Sequence, residues 1–426
     1  MSQTVISYGS NQDVRIFSAM LFAMNMQRPT GIGRMAGKME RQADAEGNIR
    51  MVSTNRKPVI RVQELTKTAG DEVSFDLVNP MKAVPIMGGA WAEGKGAKMT
   101  FSNDKLRLNQ ARIPISAGDT MSQQRTRHTL RSLAKAQAES IMLRFSDQAE
   151  LVHLAGARGF DDNIEWTIPL ASDPRFADVM VNTVRAPTRN RHFRASAGTI
   201  TPMAASAGNI TISSTDVMNT DVVDSLATLL ERMPLPPPGV QFENDQMAND
   251  SPVRVLLVSA EQYTSFLQST NFRTLQANAM ARAQMAKNHP VFMGDALLWR
   301  GILILKMPKP IRFFASNALN WCPSTTSNAE TTTDIVPAAF STTYAVDRAI
   351  LLGGQALAEG FGKAMQSGAS FFWSEKELDH GDKMEYLIGE VAGRSKIQFL
   401  VDFGDTQQYT DYGVIAIDTA VRLAGI

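Results

Sequence analysis

Cysteine is nearly absent: Cys322 is the only one in 426 residues. A lone thiol cannot close an intrachain disulfide or build a thiolate metal cluster, so a disulfide-stapled secreted scaffold is excluded. Histidine is scarce too, and the five present (His128, His153, His192, His289, His380) lie far apart. Long apolar runs are missing. Near the start, residues 16–26 give eleven between Arg15 and Arg28, where a membrane-spanning helix needs about 20. No A-x-A-like site follows, so a signal peptide fits poorly and synthesis in the cytoplasm is expected. Charge of one sign is also lacking. The chain has 43 basic and 42 acidic residues, net +1, which argues against a polybasic nucleic-acid binder. H-E-x-x-H, G-x-S-x-G and C-x-x-C do not occur.

What is present is ordinary globular material, 44% apolar and 20% charged, long enough for two or more packed units. The 23 methionines suit irregular, adaptable packing surfaces. The first 70 residues stand apart. They hold ten Lys/Arg against five Asp/Glu, and glycines interrupt their weak periodicity. This reads as an extended arm lying on something else, or by composition equally as a floppy tail. Arg15, Phe17, Phe22, Arg28 and Arg34 are its candidate contacts.

Residues 72–79 alternate, with Val73, Phe75 and Leu77 on one side and Glu72, Ser74 and Asp76 on the other. Residues 98–103 and 105–115 read as returning strands. The 18 residues between, 80–97, carry Pro80, Pro85, Gly88, Gly89, Gly94 and Gly96. Hairpin loops are usually about 2–5 residues. A tip this long cannot bury Ile86, Met87 and Trp91 locally, with Lys95 beside them, so it is expected to be a lid, a binding loop or an arm that packs on another subunit.

Residues 120–155 contain no Gly or Pro, which predicts one helix of roughly 54 Å. Thr120 and Gln123 have capping-box spacing, and Gly156 supplies a stop. Leu130, Leu133, Ala134, Ala138, Ile141, Phe145, Ala149 and Val152 form a core-facing stripe. Arg125, Arg127, Arg131 and Lys135 crowd the N-terminal half, against the helix dipole. That placement fits either an external anionic partner, a neighbouring subunit's carboxylates or nucleic-acid phosphate, or a merely solvated face.

Further on, strands are expected at 164–168, 253–259, 299–306, 343–352, 370–374, 385–391, 395–401 and 414–421. Helices are expected at 221–233, 260–287 with a break near 269–271, and 355–365. Residues 186–220 look like loop or short strand, and 323–343 look loop-like. Two stretches imitate sites. Gly31–Lys38 (G-I-G-R-M-A-G-K) ends in Gly-Lys, but Ile32 stands where a phosphate loop needs glycine and Met39 where it needs Ser or Thr. Asp379, His380, Asp382 and Glu385 cluster like metal ligands, but at an Asp/Gly turn between strands. No cofactor or metal is assigned.

Eight strings occur in order. They are G-D-E-V-S-F at 70–75, L-R-L-N-Q-A-R at 106–112, M-S-Q-Q-R-T at 121–126 and L-A-G at 154–156. Then come V-S-A-E-Q-Y at 258–263, N-H-P-V-F-M-G at 288–294, R-A-I-L-L-G-G-Q-A-L at 348–357 and D-Y-G-V-I-A-I-D-T-A at 411–420. In these the chain resembles the podovirus-type major capsid proteins of tailed bacteriophages. Residues 1–69 and 160–250 carry little of the likeness.

The resemblance implies an α+β, Hong Kong 97-like fold. It comprises an N-terminal arm (1–66), an extended hairpin loop (67–117), a peripheral domain with a spine helix (118–215), an axial domain (216–384) and strands returning to the peripheral sheet (385–426). It implies a non-enzymatic subunit that self-assembles into hexamers and pentamers of an icosahedral head around double-stranded DNA. Portal and scaffolding proteins, and a possible decoration protein, would be partners, with no membrane. The virion would be its location and the host cytoplasm its place of assembly.

Besides a monomeric or dimeric nucleic-acid-binding protein using the basic arm and helix, two other readings compete. One is a cytoplasmic α/β enzyme using nucleotide or phosphate through Gly31–Lys38. The other is a cargo-enclosing compartment shell of the same fold. Covalent cross-linking would need Lys95, Lys98 or Lys105 with Asn79, Asn103 or Asn109, and no general base can be assigned to it.

Overall fold

The computed structural model describes residues 32, 35–37, 39–43, 49–53, 57–64, 72–79, 85–96, 99–125, 129–241, 253–269, 297–328, 332–364, 369–402 and 406–423. β1 (Met39–Ala43), β2 (Ile49–Ser53) and β3 (Val59–Glu64) form an antiparallel meander. β4 (Glu72–Val78) alternates as predicted, with Val73 buried, Phe75 and Leu77 half-buried, and Glu72, Ser74 and Asp76 exposed. It pairs with β5 (Phe101–Arg107), Val78 opposite Phe101, which makes the residues between them a hairpin end. β6 (Asn109–Asp119) follows. Its Pro114 lacks an N–H to donate, which an edge strand tolerates.

The single helix expected over 120–155 is two helices, α1 (Thr120–Arg125) and α2 (Leu130–Ala155). Absence of Gly and Pro permits a helix but does not enforce one. Thr126, His128 and Thr129 are weak helix formers, and Thr129 is extended at φ −76°, ψ 95°. The capping roles also differ from the expected box. The Asp119 carboxylate accepts from the Ser122 N–H at 2.8 Å, and the Gln123 side-chain oxygen accepts from the Leu130 N–H at 2.9 Å. Gln123 thus caps the second helix, not the first. Gly156 ends α2 at φ 66°, as predicted, and a Cβ there would lie 2.5 Å from the Arg185 carbonyl. On the stripe, Ala134, Ala138, Ala149 and Val152 are buried, but Leu133 is 48% exposed and Met142 is buried instead.

The strand expected at 164–168 is irregular chain. Arg158 organises it, stacking 3.6 Å over Trp166 and donating to the Ile168 and Asp161 carbonyls. Then come α3 (Arg175–Met180), β7 (His192–Ser196), β8 (Thr199–Pro202), β9 (Ala205–Ser206) and β10 (Asn209–Ile210). α4 (Thr220–Arg232) is capped by Asn219, whose side chain accepts from the Val222 N–H. β11 (Arg254–Val258) leads into α5 (Ala260–Gln268), opened by a Ser259/Gln262 capping box. Residues 270–296, where that helix was expected to continue, lie outside the described residues.

The strand expected over 299–306 is a hairpin, β12 (Leu297–Trp299) and β13 (Ile302–Lys306), turning at Arg300 and Gly301 with φ 44° and 77°. β14 (Arg312–Phe314), β15 (Ala318–Trp321), β16 (Thr332–Ile335) and β17 (Tyr344–Leu352) follow. The helix expected at 355–365 is instead a strand, β18 (Leu357–Phe361), buried throughout between two neighbours. Gly360 and Gly362 disfavour a helix there, and the sheet supplies what local propensity does not. β19 (Phe371–Leu378), β20 (Lys383–Lys396), β21 (Gln398–Asp402), β22 (Gln407–Asp411) and β23 (Val414–Arg422) complete the order.

Two large sheets organise these elements. The first runs β1-β2-β3-β18-β20-β19, with β6 on the other edge of β20. α2 lies on it, packing Ala134, Ala138 and Met142 against Phe371, Trp373 and Ile388. The second runs β12-β13-β11-β17-β23-β7-β8, with β14 on β17. α4 and α5 cover one of its faces through Leu226, Leu230 and Phe266. Leu151 and Leu154, at the far end of α2, enter the core on its other face with Val255 and Ile350. α2 therefore spans both sheets. β18, β19 and β20 belong to the first sheet, and β23 lies in the second beside β17. β4 with β5, β21 with β22, and β15-β16-β10-β9 form small sheets.

Candidate assembly surfaces

The root of the β4–β5 hairpin is clamped to the body. Asp104 receives both guanidinium nitrogens of Arg185 at 3.1 and 2.9 Å, and the Gln398 N–H at 3.0 Å. Arg185 also donates to the Ser395 hydroxyl and the Lys396 carbonyl. The Asn182 side chain accepts from the Arg107 N–H at 2.9 Å and donates to the Arg107 carbonyl at 3.0 Å. Ser102 donates to the Leu400 carbonyl. β20 passes so close that a Cβ on Gly393 would fall 2.0 Å from the Arg107 carbonyl. Bidentate, charge-assisted bonds of this kind hold geometry well.

The far end of the hairpin has the opposite character. Every described residue from 85 to 96 is exposed. Met87 is 79% exposed, Trp91 72% and Ile86 39%. Val78, Met99 and Phe101 are exposed as well, with Val78 directly across from Phe101. This extends the apolar surface down the strands, which the sequence reading had confined to the tip. Lys95 is exposed beside it.

The basic cluster on the helices is partly committed within the chain. Arg131 pairs with Glu375 on β19 at 3.0 Å, and Glu375 also accepts the Tyr386 hydroxyl. The Lys135 ammonium sits 5.5 Å from the centre of the Trp373 ring. The side chain of Arg125, and Arg127 entirely, lie outside the described residues, as do Arg15, Phe17, Phe22, Arg28 and Arg34. Of the glycine-rich decoy, Ile32 and Met35 are core residues, and the Gly37 N–H donates to the Val59 carbonyl at 3.2 Å. Asp379–Gly381 is a tight turn with φ 54°, 56° and 91°, as a turn reading requires. Among the described residues no cluster of His, Cys, Asp or Glu could hold a metal. Cys322 is buried against the Ser324 and Ser327 carbonyls. No helix among the described residues is long and apolar enough to cross a membrane.

Buried ion networks tie the clamped hairpin to the rest, and the sequence reading missed them. Arg61, Glu359 and Arg394 stand opposite one another across β3, β18 and β20, at 2.9 and 3.1 Å. Arg394 also bonds Glu390 at 2.7 Å and Ser146 of α2 at 3.2 Å. In the second sheet Arg348 pairs with Asp418 at 2.7 Å, contacts His192, and donates to the Ala155 carbonyl at the end of α2. Burial would raise the Asp418 carboxyl, but Arg348 and His192 hold it well below the carboxylate range. Lys396 is bonded to Asp411 at 3.0 Å, and burial pushes its ammonium pKa down. These cross-strand pairs fix register, because a one-residue slip would strand every charge.

Residues 5–423 match the family model described as phage capsid protein. The chain belongs to the phage capsid protein family. The fold agrees. The capsid of Ralstonia phage GP4 is 22% identical and superposes with a TM-score of 0.66, covering 91% of this chain and 94% of that one. A chain of the cyanophage Pam1 capsid is 16% identical at TM-score 0.54, covering 84% and 87%. The capsid of the Helicobacter pylori bacteriophage KHP30 is 10% identical at 0.53, covering 85% and 88%. No curated protein sequence matches the chain. This is a major capsid protein, a structural subunit of an icosahedral phage head and of the virion, and it is not an enzyme. The nucleotide-enzyme reading of Gly31–Lys38 is thereby set aside, as is the compartment shell.

Proposed function

We propose that the capsid protein closes its shell as hexamers and pentamers, using the exposed hairpin end as a principal contact between subunits. The observation that carries this is the contrast within one element: a root fixed by Asp104, Arg185 and Asn182, and an end whose Ile86, Met87 and Trp91 nothing in the described chain covers. Large apolar side chains at a protein surface mark association sites. Residues 1–66 act as the arm and 67–117 as the loop, lending β1–β3 and β6 to the first sheet, whose remaining strands with α2 form the peripheral domain, while the second sheet forms the axial domain. Arg125 and Arg127 meet carboxylates of a neighbouring subunit, while Arg131 and Lys135 orient that surface through Glu375 and Trp373. The shell is assembled in the host cytoplasm with portal and scaffolding proteins, accepts a decoration protein outside, and encloses double-stranded DNA held non-specifically.

The test is a Met87→Ala/Trp91→Ala variant examined by circular dichroism and sedimentation. The expected result is a normally folded subunit that no longer forms shells or capsomers. Shells formed at the parent yield would contradict the reading.

A further inference from the structure

One buried ion pair sets a nucleophile against an electrophile. Lys396 ends β20 and Asp411 ends β22, and the Lys396 Nζ lies 3.0 Å from the Asp411 Oδ2. Their side chains are 1% and 0% exposed. Burial, and after it the charges of Arg185 and Arg348, push the ammonium pKa down against the pull of Asp411. A desolvated lysine gives up its proton and becomes a nucleophile. The carboxyl is held in place as well. Gln398, directly opposite in β21, donates its side-chain N–H to Oδ1 at 2.6 Å, and the Thr188 N–H donates to Oδ2 at 3.1 Å. Arg61, Arg348 and Arg394 of the other networks offer no such amine, because a guanidinium keeps its proton in proteins.

We propose that this pair is a self-modification site, where Lys396 and Asp411 condense into an intrachain isopeptide bond. A proton first passes from Nζ to Oδ2 along their hydrogen bond, which leaves a neutral amine beside a neutral acid. The Nζ lone pair then forms a bond to Cγ. Charge develops on the carboxyl oxygens of that intermediate, where the Gln398 and Thr188 donors already point. The Cγ–Oδ2 bond breaks, and Oδ2 takes a second proton from the nitrogen and leaves as water. The amide keeps one N–H, and Oδ1 keeps its bond from Gln398. Net charge is zero before and after, and no co-reactant enters. Burial of both side chains slows the reverse hydrolysis, because water must first reach the amide. The bond closes residues 396–411 into a ring. That segment seats the hairpin root, through Ser102 on the Leu400 carbonyl, Arg185 on the Lys396 carbonyl and the Gln398 N–H on Asp104. A covalent closure restrains the chain as a disulfide does, so the root keeps its seat when the exposed end is pulled.

The experiment reads the intact mass and the tryptic map of the purified full chain, as free subunits and as particles, after denaturation. Trypsin does not cut after an acylated lysine. The expected result is a chain lighter by one water, with that loss carried by an uncut fragment 395–422, which holds both residues. Lys396→Arg keeps a cation beside Asp411 but has no amine to acylate, so it should show its full sequence mass. A parent chain at full mass and cut after Lys396 would overturn the bond. So would a water loss that maps outside 395–422, or one that persists in Lys396→Arg. The parent's own map decides the matter even where Lys396→Arg fails to fold.

Discussion

Arg394 and His153 show what single residues contribute. Arg394 joins β18, β20 and α2 in a buried site, so its replacement leaves Glu390 without its cation and takes one of two cations from Glu359. Breaking a buried pair in this way costs about 3–5 kcal/mol. An Arg394→Ala subunit should therefore unfold at clearly lower denaturant, and an unchanged midpoint would contradict the hub. His153 is held neutral, first by burial and then by the charges of Arg185, Arg394 and Lys396, with its pKa pushed down to about 3 from 6.5. A depressed folded pKa gives stability that is fully present above pH 6.5 and is lost as pH falls from there toward 3. Each pH unit in that window is worth about 1.4 kcal/mol. Between pH 7 and 5, His153→Gln should lose about 2 kcal/mol less than the parent in denaturant melts. Equal losses would show that His153 is not held neutral. None of this was legible in sequence. Arg61, Glu359 and Arg394 are 298 and 35 residues apart and meet only through strand register.

At the scale of elements, pattern succeeded where one face is buried and failed where tertiary context decides. β4 and α4 carry periodicities strong enough to read directly, and β17 and β23, buried on both faces, carry nine-residue runs long enough to read as well. β18 did not, because a short segment buried on both faces has no alternation to show. The helix break at Thr129 was hidden because no Gly or Pro marks it, only weak helix formers and a side-chain cap from Gln123. The clamped hairpin root gives a sharp test. Gly393→Ala puts a Cβ against the Arg107 carbonyl, and overpacking of this kind costs about 1–3 kcal/mol. The variant should expose the hairpin to limited proteolysis at its root faster than the parent. Identical cleavage rates would mean that the close approach does not hold the hairpin.

For the whole molecule, the apolar tip and the glycine-rich loop were legible because a loop of 18 residues needs a partner. The cavity at the hairpin root was not, since it is built from α2, β6, β20 and α3 together. The candidate residues divide accordingly: Ile86, Met87, Trp91 and Lys95 sit on the exposed tip, whereas Arg131 and Lys135 are engaged with the first sheet. Each contact between copies can be modest, because every subunit touches several others and the lattice closes only when all are made. The most direct measurement is sedimentation of the purified full chain, with negative-stain microscopy of its heaviest fraction. The account predicts icosahedral shells, or capsomers that convert to them when scaffold is added. A monomer or dimer that stays small at high concentration, with and without scaffold, would contradict it.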